Sequence, residues 1–117
     1  MANTKDCYQY TDSGLQNVWL VNGFTKKQTP YGEAVGIDNL NGLHKVIATT
    51  IINKRASLTG DELRFLRIEL DLSQKAFAEY FGKTDQSVAN WEKSDHPPKD
   101  VDYLVRHIYR QTTDLVK

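Results

Sequence analysis

Cysteine is nearly missing from this chain of 117 residues. Cys7 stands alone, so no disulfide can close within the molecule, which suits a reducing compartment. Long apolar runs are missing too: none approaches the roughly 18 residues that a membrane helix needs. The opening MANTKDCYQY has neither the basic nor the apolar region of a signal peptide, so a cytoplasmic location is expected. Charge of one sign is also lacking, because Lys plus Arg and Asp plus Glu number 15 each. From Ser57 onward there are 9 basic and 11 acidic residues, about −2 net. That balance excludes a protein that holds polyanions by bulk charge alone. With 39% hydrophobic residues and a mean hydropathy of −0.57, the chain reads as soluble and globular, enough for one domain or two small ones.

In chain order, Met1 to about Gly14 is polar and turn-rich, and is expected to be loosely ordered apart from Tyr8 and Tyr10. Asn17 to Phe24 is rich in strand formers. Asn22-Gly23 is a strong hairpin signal, and Thr29-Pro30-Tyr31-Gly32 is a competing turn before a second strand, Glu33 to Ile37. These predict an antiparallel sheet of two or three strands between residues 17 and 37. Its core would draw on Trp19, Leu20, Val35, Ile37 and Ile47. Leu43, Ile47 and Ile51 recur every four residues, with Val46 alongside, and predict a helix from about Asn41 to Asn53. The β-branched content there keeps strand as the alternative. Lys54 to Ser57 reads as a linker.

The second half has sharper punctuation. Thr59-x-x-Glu62 is a capping box opening a helix with Leu63, Leu66 and Leu70 inward and Phe65 on a flank. Ser73 can cap the next helix, whose apolar face would be Ala76, Phe77, Tyr80 and Phe81. Gly82 suits the left-handed residue that ends it. Thr84 can cap a third helix that turns Val88 and Trp91 inward and Asp85, Gln86, Ser87, Asn90 and Lys93 outward. An outer face of Gln, Ser and Asn suits base-edge and phosphate hydrogen bonds better than an ordinary Glu/Lys surface does. Pro97-Pro98 forbids helix continuation. Asp100 can start a last helix with Val101, Leu104, Val105 and Ile108 inward, ending near Arg110 with Gln111 to Lys117 frayed.

Ser73-Gln74, Ala78, Gly82 and Val88-x-x-Trp91-Glu92 together resemble the helix-turn-helix of the XRE/Cro regulators, over Leu58 to about Ile108. The resemblance implies a lambda-repressor-like fold that docks on double-stranded DNA. Carried over residue by residue, it implies base reading by Asp85, Gln86 and Asn90. Phosphate contacts would come from Gln74, Lys75, Lys83, Thr84, Ser87 and Lys93. It further implies a salt bridge between Arg67 and Glu92. Two departures from the family pattern are Asp85, where an uncharged or basic residue is commoner, and Lys83, where an apolar one is usual. The overall arrangement is similar to the MqsA-type antitoxins, whose N-terminal domain holds zinc through two CxxC pairs. Here Cys7-Tyr8-Gln9-Tyr10 has tyrosine in the second ligand place, so the zinc site is absent. One cysteine with His44, His96 and His107 gives no ligand spacing, and no metal or cofactor is expected.

Nothing suggests an enzyme: there is no GxSxG, no phosphate-binding glycine loop, and no nucleophile with a base partner. The reading is a mainly α protein, α+β overall. A small β-hairpin-plus-helix domain at 1–56 would serve dimerisation or partner binding. A helix-turn-helix domain of four or five helices at 57–117 would bind DNA. The expected function is that of a sequence-specific transcriptional regulator, an autorepressing antitoxin of a toxin–antitoxin operon. It would be cytoplasmic and nucleoid-associated, binding a palindromic operator as a homodimer with a toxin protein as partner, and with neither membrane nor small-molecule substrate. The alternatives are a plain or phage-type repressor without a toxin, and a protein-interaction module that no longer touches DNA.

Overall fold

Two short backbone pairings open the structure. β1 (Tyr8–Gln9) runs antiparallel to β2 (Trp19–Leu20), with Tyr8 opposite Leu20. β3 (Phe24–Thr29) and β4 (Gly32–Ile37) form a hairpin whose register sets Thr29 against Gly32, leaving Pro30-Tyr31 as its two-residue loop. The computed structural model describes the backbone of residues 7–115 and the side chains of residues 7–112. The expectations for Met1–Asp6 and for Val116–Lys117 lie outside the described residues.

Of the two competing turns, Thr29–Gly32 makes the hairpin. The Thr29 hydroxyl donates to the Gly32 carbonyl (2.7 Å) and accepts the Tyr31 N–H (3.2 Å), closing the turn with its own side chain. Gly32 then takes a φ of 117°, open only to glycine. Asn22-Gly23 instead forms the corner between β2 and β3, which do not pair. The expected single sheet is therefore two separate two-stranded ones among the described residues. The segment after Asp6 is also more ordered than its polarity implies. Ser13 is buried, donating to Tyr10 O and accepting the Leu15 N–H, and Tyr10 and Leu15 are buried beside it. Trp19, expected in the core, is 58% exposed, while Leu20 is buried. Val35 and Ile37 are only half-buried.

α1 (Leu40–Asn53) is a helix, not a strand, and Asn39 Oδ1 accepts the Gly42 N–H at its start. Its buried face is Ile47, Ala48, Ile51 and Ile52, so Val46 points outward. The chain divides into two compact units, Met1–Lys45 and Val46–Lys117, and the division falls inside α1. The expected boundary is 56/57. The second unit reaches back to Val46 because its last helix, α5 (Lys99–Leu115), grips the end of α1 and the segment after it. Arg110 donates to Ile52 O (2.6 Å), and Arg106 donates to Lys54 O (2.6 Å) and Ala56 O (2.8 Å). Arg110 thus satisfies one of the carbonyls that the end of α1 leaves unpaired, and Arg106 ties down two carbonyls of the segment beyond it. Asp102 accepts from Arg106 and from the Leu58 N–H, so the expected linker is a fastened strap. α5 continues to Leu115, past the expected end near Arg110, and residues 111–115 are helical.

The rest of the second unit is α2 (Gly60–Glu69), α3 (Gln74–Glu79) and α4 (Asp85–Lys93) packed with α5. Leu58, Leu63, Leu66, Phe77, Val88, Val101 and Val105 are fully buried, each worth about 1.5–3 kcal/mol of transfer free energy for the larger side chains. The whole is α+β and mainly helical, a hairpin followed by a helix-turn-helix domain.

Candidate nucleic-acid interface

The interface is built on α3, a turn, and α4. At the entrance, Asp71 takes a left-handed φ of 59°. Its N–H donates to Ile68 O and the next N–H, of Leu72, donates to Arg67 O, the paired bonds that close a helix C-terminus. Ser73 then caps α3 by accepting the Ala76 N–H (3.0 Å). At the far end Gly82 has a φ of 64°, and the Lys83 N–H reaches back to Ala78 O (3.1 Å). Thr84 caps α4 by accepting the Ser87 N–H (3.3 Å). Three local devices thus fix where each helix starts and how the two cross.

Behind the turn, Phe77 and Val88 are buried, and Phe81 stacks edge-on between Phe77 (5.2 Å between centroids) and Trp91 (5.4 Å). Trp91 is half-buried, and Tyr80, expected on the apolar face, is 54% exposed. Ala78 takes the inner place on α3 instead.

Arg67 and Glu92 form a buried ion pair, with Arg67 Nε donating to one carboxylate oxygen and Nη2 to the other (3.3 Å). Two more bonds widen the pair into a network. Arg67 Nη1 donates to Leu72 O (2.8 Å), and Gln74 Nε2 donates to Glu92 Oε1 (3.1 Å). One guanidinium and one carboxylate therefore link α2, the turn before α3, α3 itself and α4. Gly60 adds a steric lock: a Cβ there would lie 2.5 Å from both Glu92 O and Ser94 O, so only glycine lets α2 start against the end of α4.

On the outer side of α4, Asp85, Gln86, Asn90 and Lys93 are exposed and Ser87 is half-buried. Gln86 Nε2 donates to Asn90 Oδ1 (3.1 Å) across one helical turn, holding both amides to the surface. Lys75, Lys83 and Thr84 are exposed on the neighbouring segments, and Gln74 is half-buried at the start of α3. Asp85 lies in the first turn of α4, where a carboxylate suits the helix dipole.

The sequence reading missed the Gln74–Glu92 bond, the Gln86–Asn90 bond and the Gly60 contact. The i,i+4 spacing of Gln86 and Asn90 was the available signal for the second. Nothing local marks the other two. Among the described residues no group of three or more His, Cys, Asp or Glu side chains could hold a metal ion.

A short helix crossing in front of a second helix with an exposed amide face is the geometry of a DNA reader. Residues 63–102 match the family model described as Helix-turn-helix. The matched segment begins inside α2 and ends inside α5, taking in the whole of α3 and α4. It supports a DNA-binding regulator of the XRE kind, a class not typically enzymatic, acting on double-stranded DNA. Neither a curated protein nor a solved structure matches the chain. No helix among the described residues is long and apolar enough to cross a membrane.

Proposed function

We propose that the protein is a sequence-specific transcriptional repressor that inserts α4 into the major groove of a palindromic operator. Gln86 and Asn90 read base edges, each able to make a bidentate contact to adenine, and Asp85 accepts from a cytosine amino group. Gln74, Lys75, Lys83, Thr84, Ser87 and Lys93 contact phosphates and set the docking register. The observation that carries this reading is the exposed Gln86–Asn90 pair on a helix braced from behind by Arg67 and Glu92. Because the domain at 57–117 has about two more acidic than basic residues, affinity rests on few contacts doubled by dimerisation. Two-fold symmetry would set the two copies of α4 about 34 Å apart, one DNA turn. Occupancy near a promoter would then block polymerase.

The finer reading is an antitoxin that represses its own operon. The domain at 1–56, carrying the exposed Trp19 and Tyr31, would hold the toxin. Fluorescence anisotropy on DNA from upstream of the protein's own gene, at two salt concentrations, tests the repressor. Gln86→Ala and Asn90→Ala should each weaken binding by about 1–3 kcal/mol per lost base contact while the circular dichroism spectrum stays unchanged. Absence of tight, sequence-selective binding would sink the repressor and favour a protein-interaction module, which the exposed Asp85 and the neutral net charge also favour. Co-purification with the product of the adjacent reading frame tests the antitoxin. If no complex forms, a plain repressor remains.

A further inference from the structure

α5 buries Val101, Val105 and Tyr109 at steps of four. On its opposite side Asp100, Tyr103, His107 and Arg110 are exposed, at steps of three, four and three. This alternation sets Asp100 and His107, and likewise Tyr103 and Arg110, seven residues apart, the heptad spacing that keeps a seam facing a second helix lying alongside. Tyr103 is 74% exposed, and its ring stacks parallel over His107 (6.3 Å between centroids, 7° between planes). Much of its large apolar surface is therefore left in water.

The stripe is also self-complementary. Asp100 and Arg110 lie five residues either side of Val105, and Tyr103 and His107 lie two either side. In a two-fold contact, residue i meets j and j meets i. Two copies of α5 laid antiparallel about Val105 would set Asp100 against Arg110 of the partner subunit, twice. Tyr103 would meet His107 of the partner subunit, also twice. A parallel pairing would instead set like charges against each other. Arg110 is steadied for this by its bond to Ile52 O, which leaves further guanidinium N–H groups to donate.

We propose that the outer face of α5 is the homodimer contact, in antiparallel register centred on Val105. This rests on the homodimer in the reading above and names its surface. Sedimentation equilibrium of the full chain, without DNA, tests it. Asp100→Arg and Arg110→Asp should each weaken self-association by about ten- to thirty-fold, since both pairs become repulsive. An equimolar mixture of the two variants should recover it, because opposite charges again face each other in both pairs. Tyr103→Ala, which leaves every charge and the Ile52 bond in place, should also weaken it. A dimer unmoved by Asp100→Arg and Tyr103→Ala overturns the α5 contact and leaves the homodimer standing. A chain that stays monomeric at every concentration, and on operator DNA, overturns both.

Discussion

The two units of this chain solve the problem of holding a shape by different means. From Val46 onward, seven large side chains are fully buried, every helix from α2 to α4 has an identified cap, and a buried ion pair with its Gln74 bond cross-links three of the helices. From Cys7 to Lys45, order rests on backbone pairing and on a few buried groups, Tyr10, Ser13, Leu15 and Leu20. Most of the β3–β4 hairpin is exposed on both faces, and a two-stranded ribbon of this kind is marginal by itself. The contrast suits a division of labour. A reading helix needs a backing that keeps its side chains fixed, whereas a surface that grips a protein partner gains from being adaptable.

The largest break of that contrast should come at Glu92. Glu92→Ala leaves the buried Arg67 guanidinium without its counter-charge and should cost about 3–5 kcal/mol in urea unfolding. Replacing both partners, Arg67→Met with Glu92→Leu, should recover most of the loss, because the cost lies in the orphaned charge more than in the missing pair. A single-variant cost below about 1 kcal/mol would mean that the brace positions α4 without stabilising the unit.

A pair of glycines sharpens the comparison at smaller size. Gly60→Ala drives a methyl group onto two backbone carbonyls that cannot rotate away, and should cost about 1–3 kcal/mol. Because those carbonyls belong to Glu92 and Ser94, the same variant should tilt α4 and weaken operator binding beyond its effect on unfolding. Gly36→Ala, on β4 with nothing within 4 Å of the new methyl, should stay within about 0.5 kcal/mol of the parent. Thermal unfolding of the two variants side by side decides whether the units differ in packing as described.

What could be read from the chain alone followed the same divide. Caps are local, so Thr59 with Glu62, Ser73, Gly82 and Thr84 announce α2, α3 and α4 within three or four residues of sequence. The brace was reachable only through the resemblance, since Arg67 and Glu92 are 25 residues apart. The strap was not reachable at all. Arg106 and Arg110 bind the carbonyls of Lys54, Ala56 and Ile52, and a backbone oxygen leaves no mark in the sequence. For the same reason the second unit's reach back to Val46 was hidden. In the first unit, two turn signals competed. The side-chain bonds of Thr29 fit the one at Thr29–Gly32, and a local scan ranks Asn-Gly above them. Trp19 shows the limit of composition: a large aromatic in a strand is usually core, and here the strand is two residues long and leaves the ring 58% exposed.

The smallest effect is expected at the hairpin tip. Tyr31 is 99% exposed, so Tyr31→Ala removes almost no buried surface and should change unfolding by less than about 0.5 kcal/mol. The informative measurement there is amide hydrogen exchange of the unmodified chain. The β3–β4 amides should exchange by local opening, well before the amides of α2 and α4 that exchange only with global unfolding. Exchange at one common rate in both regions would mean that the hairpin shares the cooperative unit of the helices. The first unit would then be as firmly held as the second, and its suggested role as an adaptable partner surface would lose its physical basis.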